Sequence, residues 1–298
     1  MRAPPSAVAN SAVANLEAPV ESSSQAAPER NRTYDLALIT DVGTKREGNE
    51  DSCGHLVEND STVVFLVADG VGGYEGGEIA SAMAVETTLA AFRSISPSLG
   101  AARRLNRALQ QANIEIHDRA LTVPELRRMA TTTTAVAISL SEGMLYGVHC
   151  GDCRLYLVRS HKIEQLTRDH TVVAERMRMG LISAERARTH PDRSALSRSI
   201  GQELIPSIDR ITTPMQQHDR LIMCSDGLWS VIPDPEIEKL TRDSDAETAC
   251  RRLVDTANAR GTPDNLTVAI FTLLVESPNG AVRRGWRERI AGMFGRGD

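Results

Sequence analysis

The sequence predicts an α+β fold in which two antiparallel β-sheets form a central sandwich flanked by pairs of helices. Three observations carry this. Apolar strand patterns fall in clusters joined by tight turns, helical patterns sit in pairs between those clusters, and regular strand–helix alternation is missing. The first strand is expected in TYDLALITDVG, where Tyr34, Leu36 and Leu38 alternate. TVVFLVA is the next, followed by a helix from Gly77 to about Arg93 and a second from Leu99 to Leu121, with Leu105, Leu109 and Ile116 at helical spacing. TTTTAVAISL, GMLYGVHC, RLYLVRS and KIEQLT then read as a meander of short strands, with Glu142-Gly143 as one of its turns.

The stretch from His170 to Arg193 is charged, helical in period and closed by Pro191. Strand returns at DRLIMCSDG. Helices are expected near Asp234–Thr241 and Asp245–Arg260, and NLTVAIFTLLV closes the fold. Around this core, residues 1–32 read as a disordered leader rich in Ala, Ser, Pro and Val, residues 33–276 as one domain, and residues 277–298 as a basic tail. The tail places Val282, Trp286, Ile290 and Phe294 at helical spacing among arginines. Gly285 and Gly292 weaken that helix, so it is read as a loose end, with docking on a membrane surface or a partner as the alternative.

Composition excludes several classes. A net charge of −5 and 3% aromatic residues argue against a nucleic-acid binder. Five cysteines scattered through apolar segments read as reduced thiols, and no apolar run approaches a membrane helix or a signal peptide, so a cytoplasmic protein is expected. The pair Cys150 and Cys153, with His149, invites a zinc or redox reading; two small residues at a strand turn are the expected state.

Chemistry begins at VFLVADGVGGYEGGEIA. Asp69 ends an apolar strand and is followed by Gly70, Gly72, Gly73, Gly76 and Gly77. An unpaired buried carboxylate is costly, and glycines admit close backbone approach. A phosphate cradle, a metal site and a tight turn all fit this stretch alone. Asp152 and Asp226 repeat the setting beside Gly151 and Gly227, while Asp264 precedes the closing strand, and Glu50 and Asp51 follow TKREGN. Carboxylates converging at one sheet edge repel unless cations neutralise them, and oxygen ligands select Mg²⁺ or Mn²⁺.

With these residues in place, the sequence resembles the metal-dependent Ser/Thr protein phosphatases of the PPM (type 2C) family in its bacterial form. GTKREGNED, VADGVGG, TTTTAV, GDCRLYLV, LTRDH, SRSIG, CSDGLW and GTPDNLTVAIF occur in the family's order across Tyr34 to Val275. The resemblance implies a metal cleft at one end of the sandwich and two or three Mn²⁺ or Mg²⁺ ions. Asp69 would bridge two ions, with Gly70 (through its carbonyl) and Glu50 on one, and Asp226 and Asp264 on the other. Asp51 would act through water, Asp152 with Asp226 would hold a third ion, Arg46 would grip the substrate phosphate, and Asn265 would orient Asp264. The implied reaction is hydrolysis of phosphoserine and phosphothreonine by a water bridging the ions. Its implied partners are phosphorylated proteins and a cognate bacterial Ser/Thr kinase, with the enzyme a monomer. Val71 stands where many eukaryotic members carry a histidine proposed as the acid for the leaving group. A pseudophosphatase acting as a binding module is the alternative from another class; it would need a lost ligand, and Glu50, Asp69, Asp226 and Asp264 are all present.

Overall fold

The computed structural model describes residues 28–71, 76–188 and 190–275. The leader's first 27 residues and the tail lie outside them. In chain order the strands and helices are β1 (Glu29–Arg30), β2 (Tyr34–Asp41), β3 (Asp51–Glu58), β4 (Thr62–Val71), α1 (Gly76–Ser94) and α2 (Ala101–Thr122). The meander follows as β5 (Ala130–Ser139), β6 (Met144–Cys150), β7 (Arg154–Arg159) and β8 (Lys162–Gln165). Then come α3 (Val172–Arg178), α4 (Ala184–Arg188), β9 (Asp209–Pro214), β10 (Arg220–Cys224), α5 (Asp226–Trp229), α6 (Asp234–Thr241), α7 (Ala246–Ala259) and β11 (Leu266–Leu273).

One sheet runs β1-β2-β11-β10-β7-β8 and the other β3-β4-β5-β6-β9, antiparallel throughout. Three apolar layers follow from strands buried on both faces, which is why they read as continuous apolar runs. Tyr34, Leu36, Phe65, Val67, Val136, Met223 and Phe271 fill the space between the sheets. The alternate residues Val64, Leu66 and Ala68 meet α1 and α2. On the other side Ala37, Ile222, Val268 and Ile270 meet α6 and α7. Phe271 stacks between Tyr34 and Phe65, at 5.5 and 6.1 Å, at the centre of the sandwich.

Three strands escape the sequence pattern. β1 lies inside the stretch expected to be leader; it hydrogen-bonds to β2 through Glu29 and Arg30, so ordered backbone starts before residue 33. β3 carries Asp51, Ser52, Gly54 and His55, which break alternation, and Gly54 is needed because a Cβ there would lie 2.7 Å from Val85 Cγ1 on α1. β9 is a polar edge strand whose single aliphatic side chain, Ile211, packs against the core. The expected charged stretch from His170 to Arg193 contains the two short helices α3 and α4.

A buried ion pair ties the helical layer to the second sheet. Arg104 on α2, 3% exposed, donates to both oxygens of Glu58 at 2.6 and 2.7 Å and to the Phe92 carbonyl at 2.7 Å, with its guanidinium over the Phe92 ring. Removing one partner of such a pair leaves the other buried and uncompensated. Arg104→Ala is expected to destabilise the fold by about 3 kcal/mol, read as a lowered denaturation midpoint at unchanged m-value; an unchanged midpoint would remove the pair from the fold's support.

Candidate active site

The antiparallel register of β3 and β4 places Asp51 directly opposite Asp69. Like charges facing each other across a strand pair are destabilising, so this pairing is a cost built into the sheet. Both sit at one end of the sandwich. Asp226 starts α5 just after β10, Asp264 precedes β11, and Asp152 lies in the turn between β6 and β7. These strands bring the five aspartates to one end. Burial raises the Asp69 carboxyl well above its ordinary range, and repulsion from Asp51, Asp226, Asp152 and Asp264 adds to the shift. Asp226 is raised in the same way. Burial likewise moves Asp51 up to about 6 and Asp152 up to about 7.

Each carboxylate has its own support. Asp51 Oδ2 accepts from Ser225 Oγ at 2.6 Å and Thr267 Oγ1 at 2.7 Å, bonds that cross from one sheet to the other. The Thr131 hydroxyl donates to the Asp69 carbonyl at 2.8 Å, fixing the end of β4 against β5. Glu50 lies against the first turn of α1, where a Cβ on Gly77 would sit 2.9 Å from its Cδ. Gly70 is equally constrained: its N–H donates to the Glu50 carbonyl at 3.1 Å, and a Cβ would come within 2.2 Å of the Gly77 carbonyl. Asp152 follows Gly151, whose φ of +117° and contact with Thr132 exclude a side chain. The Gly151 N–H donates to His170 Nδ1, and Trp229 Nε1 donates to the Asp152 carbonyl.

Arg46 is half exposed and donates from one guanidinium nitrogen to Asp264 Oδ2 at 2.8 Å, which places it at the rim of the carboxylate cluster. Asn265 acts differently from the expectation. Its backbone N–H, not its side chain, bonds Asp264 Oδ1. The side chain accepts from the Glu50 N–H and donates to the Val42 and Gly48 carbonyls, pinning the loop that carries Arg46. Ser225 and Thr267 escaped the sequence reading; the hydroxyl of Thr267 inside an otherwise apolar strand was the available signal.

Among the described residues, no three acidic, His or Cys side chains are already gathered as a cation cage. What the backbone gathers is an all-oxygen set whose members repel, with Asp226 Oδ1 buried and unpartnered. That set fits hard divalent cations, which supply the missing charge. The C-x-x-C alternative fails on geometry. Cys150 packs in the layer under α1 and α2, whereas Cys153 packs between the sheets and contacts Thr132 Oγ1. All five cysteines are buried and free.

A family model described as Protein phosphatase 2C matches residues 40–266. The chain belongs to the protein phosphatase 2C family. This phosphatase is 36% identical over 243 residues to the serine/threonine phosphatase stp of Listeria monocytogenes, across 80% of its own chain and 93% of that protein. The crystal structure of the Mycobacterium tuberculosis serine/threonine phosphatase PstP/Ppp matches it with a TM-score of 0.72 at 31% identity, over 82% of this chain and all of that one. A solved catalytic domain of PstP in complex with two manganese ions matches with a TM-score of 0.70 at 28% identity, over 82% and 99% of the two chains. It is thus a protein serine/threonine phosphatase of a Mn²⁺- or Mg²⁺-dependent family, with the predicted sandwich. No helix among its described residues is long and apolar enough to cross a membrane.

The raised carboxyls set a pH dependence of stability. A carboxyl raised in the folded state binds its proton more tightly there than in the unfolded chain, so its support falls as pH rises from the unfolded pKa through the folded one. His149 and His170, both lowered by burial, act oppositely but are neutral in both states well above pH 6.5. Between about pH 6.5 and 8, the chelator-treated protein is expected to lose thermal stability, because Asp152, raised to about 7, ionises across this window, and Asp69 and Asp226 are raised in the same direction. Asp69→Asn should raise the melting temperature at pH 8 and flatten the slope. A flat profile in the unsubstituted protein would contradict the cluster's repulsion.

Proposed function

We propose that this phosphatase hydrolyses phosphoserine and phosphothreonine in proteins by direct attack of water on phosphorus, using two or three Mn²⁺ or Mg²⁺ ions and forming no covalent phosphoenzyme. The observation that carries the reading is the cluster around Asp69: raised, mutually repelling carboxyls with one buried oxygen left without a partner. Asp69 would lie between two ions, with Glu50 and the Gly70 carbonyl toward one and Asp226 and Asp264 toward the other. Asp51, held by Ser225 and Thr267, would support this set from behind through water, and Asp152 with Asp226 would take a third ion. When bound, such ions lower the pKa of water and neutralise charge on the phosphoryl oxygens.

The chain's own residues do the rest. Arg46, at the rim, offers a planar fork to two phosphate oxygens and leaves its bond to Asp264 as it does so. Asn265 holds the loop that aims it. Water is the nucleophile of choice because the protein alternatives are engaged: the thiols of Cys53 and Cys150 are pushed up to about 12 by burial, and Ser225 is bonded to Asp51. Val71 offers no proton to the leaving oxygen. A bacterial Ser/Thr kinase and its substrates are the natural partners of such an activity, and a monomer acting in the cytoplasm fits it.

Phosphopeptide turnover should appear with Mn²⁺ or Mg²⁺ and vanish with chelator; silence under every metal would favour a binding module. Asp69→Asn should abolish turnover of an aryl phosphate, and retained activity would remove Asp69 from its central role. Arg46→Ala should raise KM about tenfold or more while changing kcat less, the signature of lost phosphate binding.

A further inference from the structure

A pocket of ≈ 520 Å³ lies beside the site, lined by residues that the chemistry above does not use. Its walls are Val71, the residue after Gly70; His117, Ala120 and Leu121 of α2; Arg127, Arg128 and Met129 ahead of β5; and Gly201 with Gln202. Val71 pairs with Ala130, and Gly70 with Thr131, so the pocket is the continuation of the β4–β5 pair past Asp69. Val71 is two residues from Asp69, roughly 7 Å along the strand.

The walls are built rather than incidental. The loop at 200–202 is sewn to β5 by paired backbone bonds between Thr131 and Ile200, at 3.0 and 2.8 Å. It is tied to α2 by the Gly201 N–H donating to Asn113 Oδ1 at 2.8 Å, while Asn113 Nδ2 donates to the Glu203 carbonyl. Gly201 has a φ of +97°, and a Cβ there would strike Ile116. Inside this frame the polar side chains are cationic or neutral donors. Arg127 and Arg128 are exposed, and among the described residues neither has a carboxylate partner. His117 Nδ1 is buried with no hydrogen bond; its nearest acid, Asp118 Oδ1, is 3.6 Å away and itself solvent-facing. The floor is apolar, made by Val71, Ala120 and Met129.

We propose that this pocket is a substrate subsite for an anionic side chain, a carboxylate or a second phosphate, lying two or three residues from the phosphoserine or phosphothreonine being hydrolysed. An extended peptide advances about 3.4 Å per residue, which matches the offset between Asp69 and Val71. Arg127 and Arg128 bind the anion, His117 donates to it through an imidazole N–H, and the methylenes of the guest residue cover Val71 and Met129. The subsite rests on the phosphatase reading and extends it to substrate choice.

The test compares phosphothreonine peptides that differ at one flanking position, Ala, Glu or a non-hydrolysable phosphonate analogue of phosphoserine, as ratios of kcat/KM measured within one protein. The unsubstituted chain should favour the anionic peptides about tenfold, and the double variant Arg127→Ala, Arg128→Ala should bring that ratio near one. Preference for Glu alone assigns a carboxylate, and preference for the phosphonate alone assigns a second phosphate. Arg127→Glu with Arg128→Glu should reverse the ratio toward a Lys-bearing peptide, a gain that a misfolded protein cannot show. A ratio near one in the unsubstituted chain, or one that survives both substitutions, overturns the subsite. Failure of the unsubstituted chain to turn over any phosphopeptide overturns the phosphatase reading itself, and the subsite with it.

Discussion

The confrontation of Asp51 and Asp69 across β3 and β4 is the constraint to which the rest of the structure answers. An antiparallel register cannot be shifted by one residue without turning every core side chain of β4 toward the wrong face. Val63, Phe65 and Val67 must face the other sheet while Val64 and Leu66 face the helices, so Asp69 is delivered opposite Asp51 whatever the electrostatic cost. Hydrophobic packing over the length of the strand outweighs repulsion at its end. The cluster is therefore strained by construction, and cations are what the strain invites.

Around this point the polar groups divide into those that hold and those that act. Ser225 and Thr267 hold Asp51 from the opposite sheet, so the two halves of the sandwich are joined at the site as well as through Phe271 and its neighbours. Glycines at 70, 77 and 151 let backbone and carboxylates approach where a Cβ would collide. Arg46 remains at the rim, bonded to Asp264 and half exposed, as its proposed role on a phosphate requires. Stability and function thus draw on the same few bonds in opposite directions, which is common where buried charges are kept for chemistry.

Much of this was legible in the residues. Apolar runs ending in aspartate beside glycine marked Asp69, Asp152 and Asp226, because strand ends converge and glycine signals close approach. The paired helices and the meander were legible from period alone. β3 was not, since Asp51, which serves the site, and Gly54, which makes room for α1, are those that erase its alternation. The work of Asn265 was hidden for another reason: adjacency to Asp264 suggested a partner, whereas its side chain bonds backbone groups of a loop far away in sequence. The pocket at Arg127 and Arg128 left no pattern, because it is assembled from four separate segments.

The three bonds made by the Asn265 side chain carry a consequence for timing. Val42, Gly48 and Glu50 are all held by one amide, so the arginine loop cannot loosen at one point and stay fixed at the others. Its entropy is surrendered once, when β11 joins β2 during folding, and not again at each encounter with a substrate. In its proposed role, Arg46 would meet a phosphate from a loop already shaped for it, with only the end of its own side chain left to move.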